Sequence, residues 1–191
     1  MATRPGADVE IRPVTMDDLE LLIDIYLDTA IHHARIDPEV FGVPSRADAG
    51  ERLRRRIEGR GPTAEYVAAI VDGRMAGSAS VDVAESLHPM MRKIPTAEFG
   101  VSVLDGFRGR GIGRALIDHV ERWAAEHGVG RMVLTVSTAN DGAIRLYREL
   151  GYRDFDRVML KPLGAWDAGE GDGASEADSA KPAPGRSTDA Q

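Results

Sequence analysis

A chain of 191 residues without cysteine excludes disulfides, thiol chemistry and thiolate-held zinc. Its five histidines (His32, His33, His88, His119 and His127) form no HxxxH or HxxE pair, so no metal site is expected. Of the net charge of −7, Gly164–Gln191 carries −4 through six acids and two bases; the −3 left for the body argues against non-specific nucleic-acid binding.

No apolar run approaches the ~20 residues of a membrane span, and Met1–Ala7 has no apolar leader core. The expectation is a cytoplasmic protein that engages neither membrane nor nucleic acid. Residues 1–7 read as a flexible N-terminus and 8–163 as one domain. Residues 164–191 read as a disordered acidic tail, because Gly, Ala, Ser, Asp and Pro dominate there and cannot offset the entropy of ordering.

In chain order, Val9–Arg12 alternates as a short strand. Thr15 suits a helix N-cap, and Leu19, Leu22, Ile23, Tyr26 and Leu27 then fall on one helical face. His32–Pro44 reads as a loop with two prolines. Arg46–Glu58 reads as a second helix despite Gly50. Tyr66–Val71 and Met75–Val83 flank Asp72-Gly73, a hairpin signal. Ser86–Thr96 is a loop and Ala97–Leu104 a strand. Gly111 opens a helix that buries Leu116, Val120, Trp123 and Ala124 and ends near Gly128. Arg131–Val136 is a strand, Asn140–Leu150 a helix stopped by Gly151, and Tyr152–Leu160 a last strand. A hairpin combined with strand–helix–strand crossovers predicts a mixed sheet of α/β class. The crossover from Ala97–Leu104 to Arg131–Val136 is expected to be parallel and right-handed.

The stretch Arg108-Gly109-Arg110-Gly111-Ile112-Gly113 lies between that strand and the third helix. Glycines let a backbone curl and approach a ligand closely. The N–H groups at a helix start then face an anion, helped by the helix dipole. Arg108, Arg110 and Arg114 add positive charge, which suits a pyrophosphate. A dinucleotide-binding turn would need GxGxxG near the start of a βαβ unit, with an acid about 20 residues on. A P-loop would need Gly-Lys-Ser/Thr. Neither pattern is present, and a helix-capping turn without a ligand is the remaining alternative.

Two motifs carry a resemblance. Arg108, Gly111 and Gly113 match Arg/Gln-x-x-Gly-x-Gly/Ala after a strand. Asn140, Ala143, Tyr147, Gly151 and Tyr152 match Asn-x-x-Ala-x-x-x-Tyr-x-x-x-Gly-Phe/Tyr. With this order and spacing the chain resembles the GNAT (GCN5-related N-acetyltransferase) superfamily, over roughly Val9–Lys161. The resemblance implies the GNAT acyl-CoA N-acyltransferase fold, a central twisted mixed sheet flanked by helices, with acetyl-CoA as cosubstrate and no metal. It implies that backbone N–H groups of Gly109, Arg110, Gly111, Ile112, Gly113 and Arg114 hold the pyrophosphate. It further implies that the Val101-Ser102-Val103 edge pairs with the pantetheine arm, and that Asn140, which suits a helix N-cap, also contacts that arm or a bridging water.

The implied reaction is direct attack of a neutral amine on the thioester, which needs a base, oxyanion donors and an acid for the departing sulfur. Tyr147, at the family's tyrosine position, is the candidate acid; packing is its alternative role. Glu98, five residues before Val103, is the candidate base; a solvated strand-end carboxylate is its alternative. Ribosomal-protein acetylases of this family carry a glutamate where this chain has Thr135, which counts against a protein N-terminal acceptor. The expected acceptor is a primary amine of a small molecule; a protein N-terminus or lysine, or a non-catalytic acyl-CoA-binding module, are the alternatives. His32, His33, Asp37 and His88 read as surface polar residues near the acceptor region, and Arg52–Arg56 as a solvated helix face. A homodimer is implied by the habit of the family.

Overall fold

The computed structural model describes residues 9–84, 90, 92–161 and 163. It divides into two compact units, Met1–Tyr152 and Arg153–Gln191. The proposed tail, residues 85–89 and 91 before Thr96, His88 among them, and the first eight residues lie outside the described residues.

The first unit holds one five-stranded sheet in the order β1 (Glu10–Pro13), β2 (Ala64–Val71), β3 (Arg74–Ala84), β4 (Thr96–Val103), β5 (Arg131–Val133). The first three pairings are antiparallel and β4–β5 is parallel, so the sheet is mixed as the element order predicts. The helices are α1 (Leu19–Ile36), α2 (Arg46–Glu58), α3 (Ile112–Glu126) and α4 (Asp141–Glu149).

Side chains of a strand alternate between faces, and β2 shows the consequence. Tyr66 and Ala68 pack with Leu22, Ile23, Ile25 and Leu53 of α1 and α2. Val67 and Ala69 pack with Ile112, Leu116, Ile117 and Val120 of α3. Each aliphatic side chain fully buried in these layers contributes about 1.5–3 kcal/mol. The hairpin between β2 and β3 turns at Asp72 (φ 51°) and Gly73 (φ 71°), as a two-residue connection with both central residues left-handed requires.

Four elements depart from expectation; one is strand β5, expected to run to Val136, which stops at Val133. Helix α1 runs on to Ile36, so His32 and His33 are helical and not in a loop. Its apolar stripe fades after Leu27, and within the extra turns His32 meets Arg108 while His33 bonds back to Thr29 O. The N-terminal cap is also more elaborate. A single 3-10 turn, Met16–Asp18, precedes α1. The Asp18 carboxylate accepts the Thr15 N–H at 2.9 Å and both Arg12 guanidinium arms at 2.7 and 2.8 Å. Finally, the described residues after Tyr152 contain no strand. Tyr152, Phe155 and Val158 recur every third residue, with charged residues between them. A period of three cannot keep one face of a strand apolar.

Gly50 is compatible with its helix because of packing. A Cβ there would lie 3.2 Å from Ile23 Cδ1, so the missing side chain lets α2 approach α1 closely.

Candidate active site

Helix α3 begins without a side-chain cap. Its N-cap is Gly111, left-handed at φ 84°, preceded by Gly109 at φ 73°. Residues with a Cβ adopt this region only at a cost of roughly 1–2 kcal/mol. A Cβ at either glycine would meet nothing within 4 Å, so the space over the turn is open. The N–H groups of Ile112, Gly113 and Arg114 fall in the first turn, where an α-helix offers them no internal acceptor. Gly113 packs the helix start against Leu146 and Val103.

The turn lies at the end of a gap in the sheet. Strand β5 pairs with β4 only over Thr96–Glu98. From Phe99 to Val103, β4 is paired on its β3 side alone among the described residues. The register shows which backbone groups this leaves over. Leu104 N–H donates to Ala76 O at 2.9 Å and Val83 N–H to Thr63 O at 2.8 Å. By the alternation of antiparallel ladders, Glu98, Gly100 and Ser102 turn their backbone groups to β3. Phe99, Val101 and Val103 turn theirs to the gap. Of the strand-edge residues singled out in the sequence, Val101 and Val103 thus offer main-chain groups to a ligand in the gap, whereas Ser102 bonds toward β3.

The three arginines of the turn have separate surroundings. Arg110 lies 5.4 Å from the Phe107 ring centroid, in cation–π contact. Arg114 pairs with Glu149 of α4 at 3.1 Å. Arg108 does not extend over the turn. Its Nε donates to Val103 O at 3.0 Å, one arm reaches Asp28 at 2.5 Å, and the other lies 3.3 Å from both Asp105 and His32 Nδ1. Burial, followed by the Arg108 charge, holds the His32 imidazole below its usual pKa. Asp28 carried no motif, because only the tertiary fold brings it to Arg108 across 80 positions.

Tyr147 of α4 reaches the α3 side of the sheet. Its ring meets Phe99 of β4 edge to face at 6.2 Å and Tyr152 at 5.9 Å. The side chain is half-buried, and its hydroxyl has no hydrogen-bond partner among the described residues. Burial pushes its pKa up, so the phenol keeps its proton across the neutral range. Tyr152 differs: its hydroxyl donates to Glu121 at 2.6 Å. Burial and that carboxylate together raise its pKa strongly. Asn140 caps α4, its side-chain oxygen accepting Ala143 N–H at 3.1 Å.

Glu98 is exposed and lies on the other face of β4. Its register partner is Asp82, whose carboxylate pairs with Arg56. Glu98 and Tyr147 therefore flank the gap from opposite sides and do not touch. His33 sits back on α1, with Nδ1 2.9 Å from Thr29 O. The arrangement is a helix start whose first-turn N–H groups have no side-chain cap, a strand edge whose Val101 main-chain groups face the gap, a protonated unpartnered phenol on one side and a carboxylate on the other.

A profile of the acetyltransferase (GNAT) family matches residues 27–152. Streptothricin acetyltransferase of Streptomyces lavendulae is 36% identical over 87 residues, covering 46% of this chain and 43% of that protein. Aminoglycoside N(6')-acetyltransferase type 1 of Salmonella typhimurium is 33% identical over 61 residues, covering 32% of this chain and 42% of that protein. The chain spans less than half the length of these curated relatives. Among solved structures, a mutant of a Bacillus halodurans protein superposes with a TM-score of 0.72 at 22% identity, covering 81% of this chain and 99% of that chain. An aminoglycoside N-acetyltransferase in complex with CoA superposes with a TM-score of 0.59 at 21% identity, covering 84% of this chain and 98% of that chain. At these identities the superpositions show a shared fold.

Proposed function

The chain belongs to the acetyltransferase (GNAT) family, and from that premise we propose that it transfers an acetyl group from acetyl-CoA to a primary amine of a small molecule. The observation that carries this reading is the β4–β5 gap, which leads from unpaired main-chain groups of Val101 to the uncapped start of α3. The residues fit acetyl-CoA. The open space over Gly109 and Gly111 admits a phosphate, and the first-turn N–H groups are donors that favour an anion. Among the described residues the gap leaves the β4 edge without a strand partner, so Val101 and the Val103 N–H are free to pair with an extended arm as a strand edge would, while the Val103 carbonyl is held by Arg108.

When bound, acetyl-CoA supplies the activated acyl group. The chain's own residues do the rest. Gly111, Ile112, Gly113 and Arg114 bind and orient through main-chain N–H groups, with Arg110 adding charge. A main-chain N–H facing the gap, such as that of Val101, stabilises negative charge developing on the acyl oxygen. Tyr147 holds a proton on its hydroxyl and gives it to the departing sulfur. Glu98 takes the proton that the acceptor amine must lose, directly or through water. Asn140 fixes the start of α4 and so the position of Tyr147.

The acceptor class is supported by relatives whose names state streptothricin and aminoglycosides. The test is release of free thiol from acetyl-CoA across a panel of amines, amino acids, aminoglycosides, polyamines and peptides. Turnover with a small amine and none with peptides is expected. Turnover confined to peptides would overturn the acceptor class, and absence of any CoA binding would overturn the cofactor reading.

A further inference from the structure

Arg108 is the first residue of the glycine-rich motif, yet its side chain faces α1 and the end of β4. An arginine guanidinium carries five N–H donors and no acceptor. Here those donors are distributed over three segments of the chain: the Val103 carbonyl on β4, Asp105 in the turn after it, and Asp28 and His32 on α1. Because arginine only donates, the 3.3 Å contact requires His32 Nδ1 to present its lone pair. His33, the neighbouring titratable group, turns away to Thr29 O. Asp28 and His32 are four residues apart, so one face of α1 presents both to the same guanidinium. The Arg108–Asp28 pair is partly shielded, with side chains 34% and 27% exposed, which sets it apart from the open surface pairs of this molecule.

The Val103 carbonyl is one of the main-chain groups that the register turns into the gap. Arg108 occupies it and so closes the end of the strand edge next to the glycine turn. The residue after Arg108 is Gly109 at φ 73°, which by itself has access to many conformations. A turn with so little intrinsic preference needs an external clamp to hold its N–H groups in one direction.

We propose that Asp28, assisted by His32, is a positioning residue for the cofactor turn: through Arg108 it ties α1 to the end of β4 and holds Gly109–Gly113 in the form that binds the anionic part of CoA. This rests on the acetyl-CoA reading above. Asp28 touches no reacting atom; it acts by sparing the turn the entropy of ordering on binding.

The test compares wild type, Asp28→Ala and Asp28→Glu by calorimetric titration with CoA, thermal denaturation and steady-state kinetics. For Asp28→Ala the expected result is CoA affinity reduced about 10-fold and KM for acetyl-CoA raised in proportion. Its kcat should stay within about threefold, with only a small loss of melting temperature. Asp28→Glu, which keeps the charge on a flexible stem, should recover most of the affinity. Arg108→Ala combined with Asp28→Ala should bind no more weakly than Arg108→Ala alone, because the two act as one unit. An Asp28→Ala protein that binds CoA as wild type does would overturn the proposal while leaving the acetyl-CoA reading intact. A folded wild type that binds no CoA would overturn both.

Discussion

The two tyrosines that flank Phe99 should separate function from stability. Their ring centroids are 5.9 Å apart, but only one hydroxyl has a partner. Removing the Tyr147 hydroxyl breaks no hydrogen bond among the described residues, and the ring contacts with Phe99 and Tyr152 survive in phenylalanine. Tyr147→Phe should therefore leave folding stability within about 0.5 kcal/mol of wild type. In the proposed mechanism the same change removes the acid that protonates the departing sulfur. Loss of a general acid costs at least ~10-fold in turnover, equal to about 1.4 kcal/mol in the barrier. Tyr152→Phe should do the reverse. It removes a 2.6 Å hydrogen bond to Glu121 and leaves that carboxylate without its donor, at about 1–2 kcal/mol for a half-buried pair. For a domain of this size that lowers the melting temperature by roughly 2–8 °C. Chemical denaturation and thiol-release kinetics on both variants are the assays. Unchanged turnover in Tyr147→Phe would refute the acid role, and a loss of activity in both variants that merely tracked stability would refute the division of labour.

Glu98→Gln should lower activity most at acid pH, where little neutral amine exists without a base, and a pH–rate profile identical to wild type would remove Glu98 from the mechanism. Gly77→Ala places a Cβ 2.6 Å from Ser102 O and 3.3 Å from Val103 Cα, both backbone atoms that can yield only by moving β4. A cost of about 2–3 kcal/mol in urea denaturation is expected, with KM for acetyl-CoA raised, and a cost under about 0.5 kcal/mol would show that the strands separate freely. Asp18→Asn should destabilise by about 2 kcal/mol, since Arg12 keeps a half-exposed charge. The Arg12 hydrogen bonds hold the Asp18 carboxyl below its usual pKa, so its contribution to stability is present above about pH 4 and is lost as pH falls through the lowered folded value. Acid denaturation should therefore begin at a higher pH in a variant that lacks Arg12, and superimposable acid-unfolding curves would rule out this linkage.

Local chemistry made most of the frame legible. The α2 boundaries at Arg46 and Glu58, the Asp72-Gly73 hairpin, the Gly111 helix start and the Asn140 cap are short-range features, set by propensity, turn conformation and capping within a few residues of each other. The candidate anion site at α3 belongs to the same group, because a left-handed glycine followed by a helix is written in consecutive residues. Tertiary structure decided what depends on distant partners. The extended α1 carries Asp28 and His32 to Arg108, contacts made across 80 and 76 positions. The three-residue length of β5 opens the gap, and no periodicity in Arg131–Val136 marks where pairing stops. The register that turns Val101 and Val103 to the gap and Ser102 to β3 is a property of the β3–β4 ladder, not of either strand alone. The fate of Arg108 is the clearest case. Its sequence neighbours suggest an anion site, but a long side chain bonds wherever donors find acceptors, and folding brought Asp28, His32 and Val103 O within its reach.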